Sequence, residues 1–172
     1  SRSELVAFTG LNRSTVGVLV SELADVGLVF EGAGSAGQVG RPSLVVQPVP
    51  ASAVVVAFDL RVERTVAALV GLGGDVLQRK EQRHKRSSYT PETALRNIVA
   101  LAGSMLGNAP HPSTWVGIGI GVPGIVDHLD GRVRLAPNLG WSDVPLGDMV
   151  REALTAEFGF APSVAGSLSK LS

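Results

Sequence analysis

Apolar residues Val16, Leu19, Val20 and Leu23 recur at i, i+3, i+4 and i+7, the spacing of one helix face. The helix they predict runs from Arg13 to Val26, with Asn12 as N-cap and Gly27 as its stop. Before it, Ser1-Arg2-Ser3-Glu4 fits a capping box, and a short helix carrying Leu5, Val6 and Phe8 ends at Gly10. Leu28–Glu31 and Ser43–Val46 then read as two strands flanking a glycine-rich loop. Two helices about a tight glycine turn, followed by a hairpin, predict a winged helix-turn-helix.

The pattern changes after the glycine- and proline-rich stretch 32–50. Ala53–Leu60 is a strand too apolar to be half exposed. Thr65–Leu72 and Val76–Gln82 follow across the Gly73-Gly74-Asp75 turn and complete a meander. Thr90 and Pro91 open a helix whose Leu95, Ile98, Val99, Ala102 and Leu106 keep helical period. Trp115–Val122 and Val133–Leu135 are strands, and Leu146–Phe158 is a last helix. The fold class expected is α+β / α/β: a winged helix over 1–48, then over 53–172 the first half of an actin-like, ribonuclease-H-like domain.

Composition narrows the chemistry. The formal net charge is zero, so no global basic field drives nucleic-acid binding. Cysteine is absent, which excludes disulfides and cysteine-ligated metal sites. His84, His111 and His128 stand at no metal-ligand spacing, and neither a metal nor a cofactor is expected. No run of about 18 apolar residues exists, so a cytoplasmic protein without membrane contact is expected.

The strings "SRSELVAFTGLNRSTVGVLVSELADVGLV", "GRPS", "VVAFDL", "GVPGIVD" and "APNLGW", in that order, resemble the ROK family (repressors, open reading frames and sugar kinases). The resemblance covers Ser1 to about Ala165. It implies a regulator that binds double-stranded operator DNA as a homodimer and responds to a monosaccharide or sugar phosphate. It also implies a second α/β lobe with a zinc site, which is expected to be missing here. Gly166 and Ser167 stand where the family carries catalytic-type side chains. The tail from about 163 is atypical, and a truncated chain is expected.

On that reading Arg13, Ser14, Thr15, Gly17 and Val18 line the DNA face of the second helix. Arginine takes two acceptors on guanine, while Ser and Thr mostly hold phosphates. Arg41, between Gly40 and Pro42, is a wing residue suited to the minor groove. Against Arg2, Arg13 and Arg41 stand Glu4, Glu22, Asp25 and Glu31, so residues 1–50 are net acidic by one and useful affinity needs a dimer.

The kinase features are eroded. Asp59 ends a strand that in the kinases leads into a glycine turn for ATP phosphates. Here the turn is Leu60-Arg61-Val62-Glu63-Arg64, too bulky for close phosphate approach, so Asp59 is a vestigial phosphate-site residue. Gly119-x-Gly121-x-x-Gly124 matches a dinucleotide fingerprint but lacks the helix and acidic anchor that should follow. The resemblance instead sets Gly124 beside a sugar cleft, with Asn138, Gly140 and Trp141 as candidate sugar-binding residues; the alternative for Trp141 is a packed core position. The run Gln78–Arg86 reads as a solvated hairpin edge. No catalytic residue and no enzyme activity are expected. The alternative to a regulator is a degenerate sugar-binding or sugar-kinase-like module, or a non-functional truncated product, with a relic DNA-binding region.

Overall fold

The computed structural model describes residues 1–33, 44–109 and 114–159, and the backbone of 163–168. Two helices open the chain, α1 (Arg2–Thr9) and α2 (Arg13–Asp25). The capping box forms: the Glu4 backbone N–H donates to Ser1 Oγ, and the Glu4 carboxylate accepts from the Ser1 nitrogen. Gly10, at φ +71°, supplies the left-handed residue that ends α1. Strands β1 (Val29–Ala33) and β2 (Leu44–Pro48) pair antiparallel as a hairpin. The predicted apolar stripe of α2 is only half used. Val16 and Val20 are buried, but Leu19 and Leu23 stay about 40% exposed and Phe8 of α1 is 90% exposed. Periodicity finds the face; the short α1, with no buried residue of its own, is too small to cover it.

The second unit is built on a five-stranded sheet. Strands β3 (Ala53–Leu60), β4 (Arg64–Gly71) and β5 (Val76–Arg83) form the antiparallel meander. A single 3-10 turn (Arg86–Ser88) leads to α3 (Pro91–Leu106), capped by Thr90 as its sequence predicts. Strand β6 (Thr114–Val122) returns parallel to β3. Next come the short strands β7 (Ile125–Val126), β8 (Val133–Ala136) and β9 (Trp141–Val144), which make a small antiparallel sheet. Helix α4 (Leu146–Phe158) then leads to β10 (Ser163–Leu168), parallel to β6. The order across the main sheet is β10-β6-β3-β4-β5, so β5 is an edge strand.

Burial alternates strictly along β3 and β4. One face, with Val56, Leu60, Leu69 and Ile120, packs under Ile98 and Met105 of α3 and Val150 and Leu154 of α4 in a single core. The linker is stitched into both units: the Val49 N–H donates to the Leu28 carbonyl, and the Leu72 N–H donates to the Pro50 carbonyl, each at 2.9 Å. Strand β10 falls where the sequence suggested only an atypical tail. Serines and glycine are poor strand formers, and the pairing comes from β6, whose Gly117–Val122 run matches it residue for residue.

Candidate functional site

The first turn of α2 is held by Asn12. Its Oδ1 accepts from the Thr15 backbone N–H at 2.8 Å and from the Ser14 hydroxyl at 2.7 Å. That cap leaves Arg13 and Ser14 exposed and Thr15 half-buried. Arg13 Nη2 donates to Ser3 Oγ at 3.2 Å, and among the described residues no carboxylate pairs with it. Val18 is 57% exposed. Gly17 sits differently from its four neighbours. A Cβ there would stand 3.5 Å from Arg2 Nη1, and the Arg2 guanidinium bridges both Glu31 carboxylate oxygens at 2.6 and 2.7 Å. Gly17 thus lies beside the clasp between α1 and β1, at a distance where a methyl group would make ordinary contact. Arg41 lies outside the described residues.

A second candidate region is the loop 137–140, between β8 and β9. The Leu139 and Gly140 backbone N–H groups donate to the Ala136 and Pro137 carbonyls at 3.0 and 3.1 Å. Gly140 has φ +71° with open space around its Cα, so its lack of a side chain serves the turn. Asn138 is exposed. Trp141 faces the other way. It is 4% exposed, its Nε1–H donates to the Tyr89 carbonyl at 3.2 Å, and its ring stacks on Tyr89 at a centroid distance of 5.8 Å. The core alternative describes this indole, whose one donor is already engaged.

Gly124 is half-buried and packs against β8. A Cβ there would meet the Leu135 carbonyl at 2.4 Å and the Ala136 side chain at 2.8 Å, so β8 fills the space its missing side chain leaves. Gly124→Ala is expected to cost about 1–3 kcal/mol through forced displacement of β8, read as a lower denaturant midpoint. An unchanged midpoint would mean that the strand yields freely.

Arg132 and Arg134 clasp this small sheet. Arg134 reaches Asp127 at 3.2 Å, and the two arginines reach Asp143 at 3.3 and 3.5 Å. Asp143 is the single described non-glycine residue at positive φ, +53°. The Leu129 backbone N–H and then Arg134 hold the Asp127 carboxyl below the usual carboxylate range. The cluster is exposed and so screened, and it orients more than it stabilises.

Asp59, at the end of β3, is half-buried and accepts from Arg61 Nε at 2.6 Å. The turn that follows is closed by the Arg61 N–H donating to the Arg64 carbonyl at 2.9 Å, and Arg61, Glu63 and Arg64 project at its rim, around a depression of about 420 Å³.

One feature of this region gives no simple signal in the sequence. The His84 ring lies flat on Tyr89, 3.4 Å between centroids and 5° from parallel, while the Tyr89 hydroxyl bonds Thr65 Oγ1 at 2.7 Å. Among the described residues neither His84 ring nitrogen has a hydrogen-bonding partner. Burial pushes the imidazole below its ordinary 6.5, opposed in part by the Arg64 backbone and the Glu63 carboxylate. The unfolded chain therefore takes up a proton near 6.5 while the folded chain waits for lower pH. Stability tied to this ring is present above 6.5 and lost as pH falls below it. The melting temperature is expected to drop between pH 7.5 and 5.5, and to drop less in His84→Phe, which keeps the stack. Equal drops in the two proteins would remove His84 as the cause.

Among the described residues no helix is long and apolar enough to cross a membrane. The sequence and fold have clear relatives. A xylose repressor of Caldicellulosiruptor bescii is 33% identical over 153 residues, which is 88% of this chain and 38% of that protein. The chain thus spans well under half the length of that relative. A crystal structure of a ROK family transcriptional regulator, a homologue of the E. coli MLC protein, superposes over 96% of this chain and 41% of its own at TM-score 0.64 and 22% identity. A glucokinase from Parabacteroides distasonis matches over 67% of this chain and 30% of its own at TM-score 0.51 and 19% identity. These last two likenesses speak for the fold, an α+β arrangement with a mixed sheet common to ROK regulators and sugar kinases. The model of the ROK family matches residues 55–168, and with the identity to the repressor over 88% of its length this chain belongs to the ROK family.

Proposed function

We propose that this chain is the DNA-binding and partial sensor portion of a ROK-type, sugar-responsive transcriptional regulator. One observation carries the reading. The chain presents a capped helix nose whose Arg13 and Ser14 face solvent without an acidic partner among the described residues, and a relative over 88% of the chain is a xylose repressor. Residues 1–48 are read as a winged helix-turn-helix, with α2 as the helix that enters the major groove and Arg41 as the wing contact. Residues 53–172 are read as the first lobe of the sensor. In it Asn138 stands free on a rigid turn and is the candidate sugar contact, while Trp141 anchors that turn from inside. The Asp59 carboxylate is occupied by Arg61 and the turn after it carries bulky side chains, which supports a sensor without kinase activity. A homodimer acting in the cytoplasm, on paired operator half-sites, completes the proposal.

The test is a fluorescence-anisotropy titration of the chain on the duplex upstream of its own gene and on a scrambled duplex of equal length, with circular dichroism to establish folding. Saturable binding at least tenfold tighter on the upstream duplex is the expected result. Equal affinity for both, from a folded chain, would overturn the reading in favour of a sugar-binding module.

A further inference from the structure

The run Gln78–Arg86 is more than a solvated hairpin edge. We infer that β5 and the turn after it form a second, sequence-independent contact to the phosphate backbone of duplex DNA; this inference rests on the regulator reading. Arg79, Lys80, Arg83, Lys85 and Arg86 face one carboxylate in the run, Glu81. The surplus of four is matched by an acidic excess elsewhere in a neutral chain, including residues 1–50, where phosphate contacts are most needed.

The geometry leaves that charge available. Strand β5 is the sheet edge. Lys80 turns toward α3 and bonds Ser104. Arg79 and Arg83 lie on the opposite face, 62% and 83% exposed, and Lys85 and Arg86 are exposed beyond the strand. Glu81 is shared by Arg64, Arg79 and Arg83, all at 3.8–3.9 Å, so one carboxylate offsets only a third of the charge around it.

The chemistry selects the partner. Gln78–Arg86 contains no apolar residue, so it lacks the apolar core around which a protein–protein interface is built. The one point where Arg79 and Arg83 converge is filled by Glu81, and the cations beyond it do not surround a small-anion site. The charges spread along the edge: Arg79 and Arg83 are four residues apart on a strand that rises about 3.3 Å per residue, roughly 13 Å, and Lys85 and Arg86 follow beyond its end. That edge is long enough to run past several phosphates, which are spaced about 3.4 Å along the axis of each DNA strand. Charged edges also block strand pairing between molecules, a role compatible with this one but satisfied by fewer charges.

Removing these cations is expected to flatten the salt dependence of binding. The full chain is titrated on the scrambled duplex across a salt series, beside Arg79→Gln/Arg83→Gln/Lys85→Gln/Arg86→Gln. Each lost phosphate contact lowers the slope of log K against log salt by about 0.9, and a total fall of one or more supports the contact. A smaller fall overturns it. Lys85→Gln/Arg86→Gln, which leaves the strand intact, is scored by the same threshold if the fourfold variant aggregates. The regulator reading is judged separately, by preference for the upstream duplex. A wild-type chain that prefers that duplex but shows no slope change in the variants refutes only the second contact. A wild-type chain that binds neither duplex at low salt refutes both.

Discussion

Trp141→Ala is expected to lower folding stability by about 3–5 kcal/mol, the range for truncating a buried aromatic. The indole is almost fully enclosed, stacks on Tyr89 and donates to the Tyr89 carbonyl. Its removal opens a cavity and strips a buried acceptor of its donor in one step. For a chain of this length each kcal/mol shifts the melting temperature by roughly 2–4 °C, so the transition is expected to fall by about 10 °C. Trp141→Phe keeps most of the ring packing but not the N–H, and should lose about a third as much. The measurement also decides between the two roles its sequence allows. A tryptophan that only covers a sugar would leave the melt of the free protein nearly unchanged when truncated. A loss under about 1 kcal/mol would return Trp141 to the ligand surface.

Helical and strand periodicity made most of the scaffold legible. Helix α3 begins at Pro91 behind Thr90 and ends at Leu106, because N-caps and a 3.6-residue apolar repeat are local chemistry. Strand β3 spans Ala53–Leu60 as expected, since eight nearly continuous apolar residues suit the middle of a sheet. What escaped depends on who sits opposite. Short strand β9 and polar strand β10 carry little propensity of their own and exist through pairing with β8 and β6. The family resemblance sets Gly124 beside a sugar cleft, and the structure adds that its missing side chain leaves room for β8; a glycine reports that space is needed, not what takes it. Leu19 and Leu23 follow the same logic in reverse, a correct stripe without enough neighbours to bury it. The His84–Tyr89 stack joins residues five apart across a 3-10 turn, a geometry that no period announces. At the candidate DNA face, residue type and the Asn12 cap were readable. That Gly17 packs under Arg2 was not, because the Arg2–Glu31 clasp is a contact between distant parts of the chain.

Arg13→Ala is expected to remove most of the preference for the upstream duplex while leaving the fold intact. The side chain is exposed and its one bond among the described residues, to Ser3 Oγ, is long and solvent-facing, so truncation should change stability by no more than about 0.5 kcal/mol. A bidentate contact from arginine to guanine is worth about 1–3 kcal/mol of discrimination. In a twofold dimer it counts at both half-sites, which puts the expected loss in specific affinity at tenfold or far more. Binding to the scrambled duplex should fall only slightly, since one phosphate-range cation per subunit disappears. Arg13→Lys separates the two kinds of contact. Lysine keeps the charge but not the planar fork. If Arg13 reads a base, the lysine variant loses preference nearly as far as alanine does. If Arg13 only holds a phosphate, lysine restores both affinity and salt dependence, and recognition must then come from Ser14, Thr15, Val18 or the wing. Full preference retained by Arg13→Ala would take the nose of α2 out of the groove altogether.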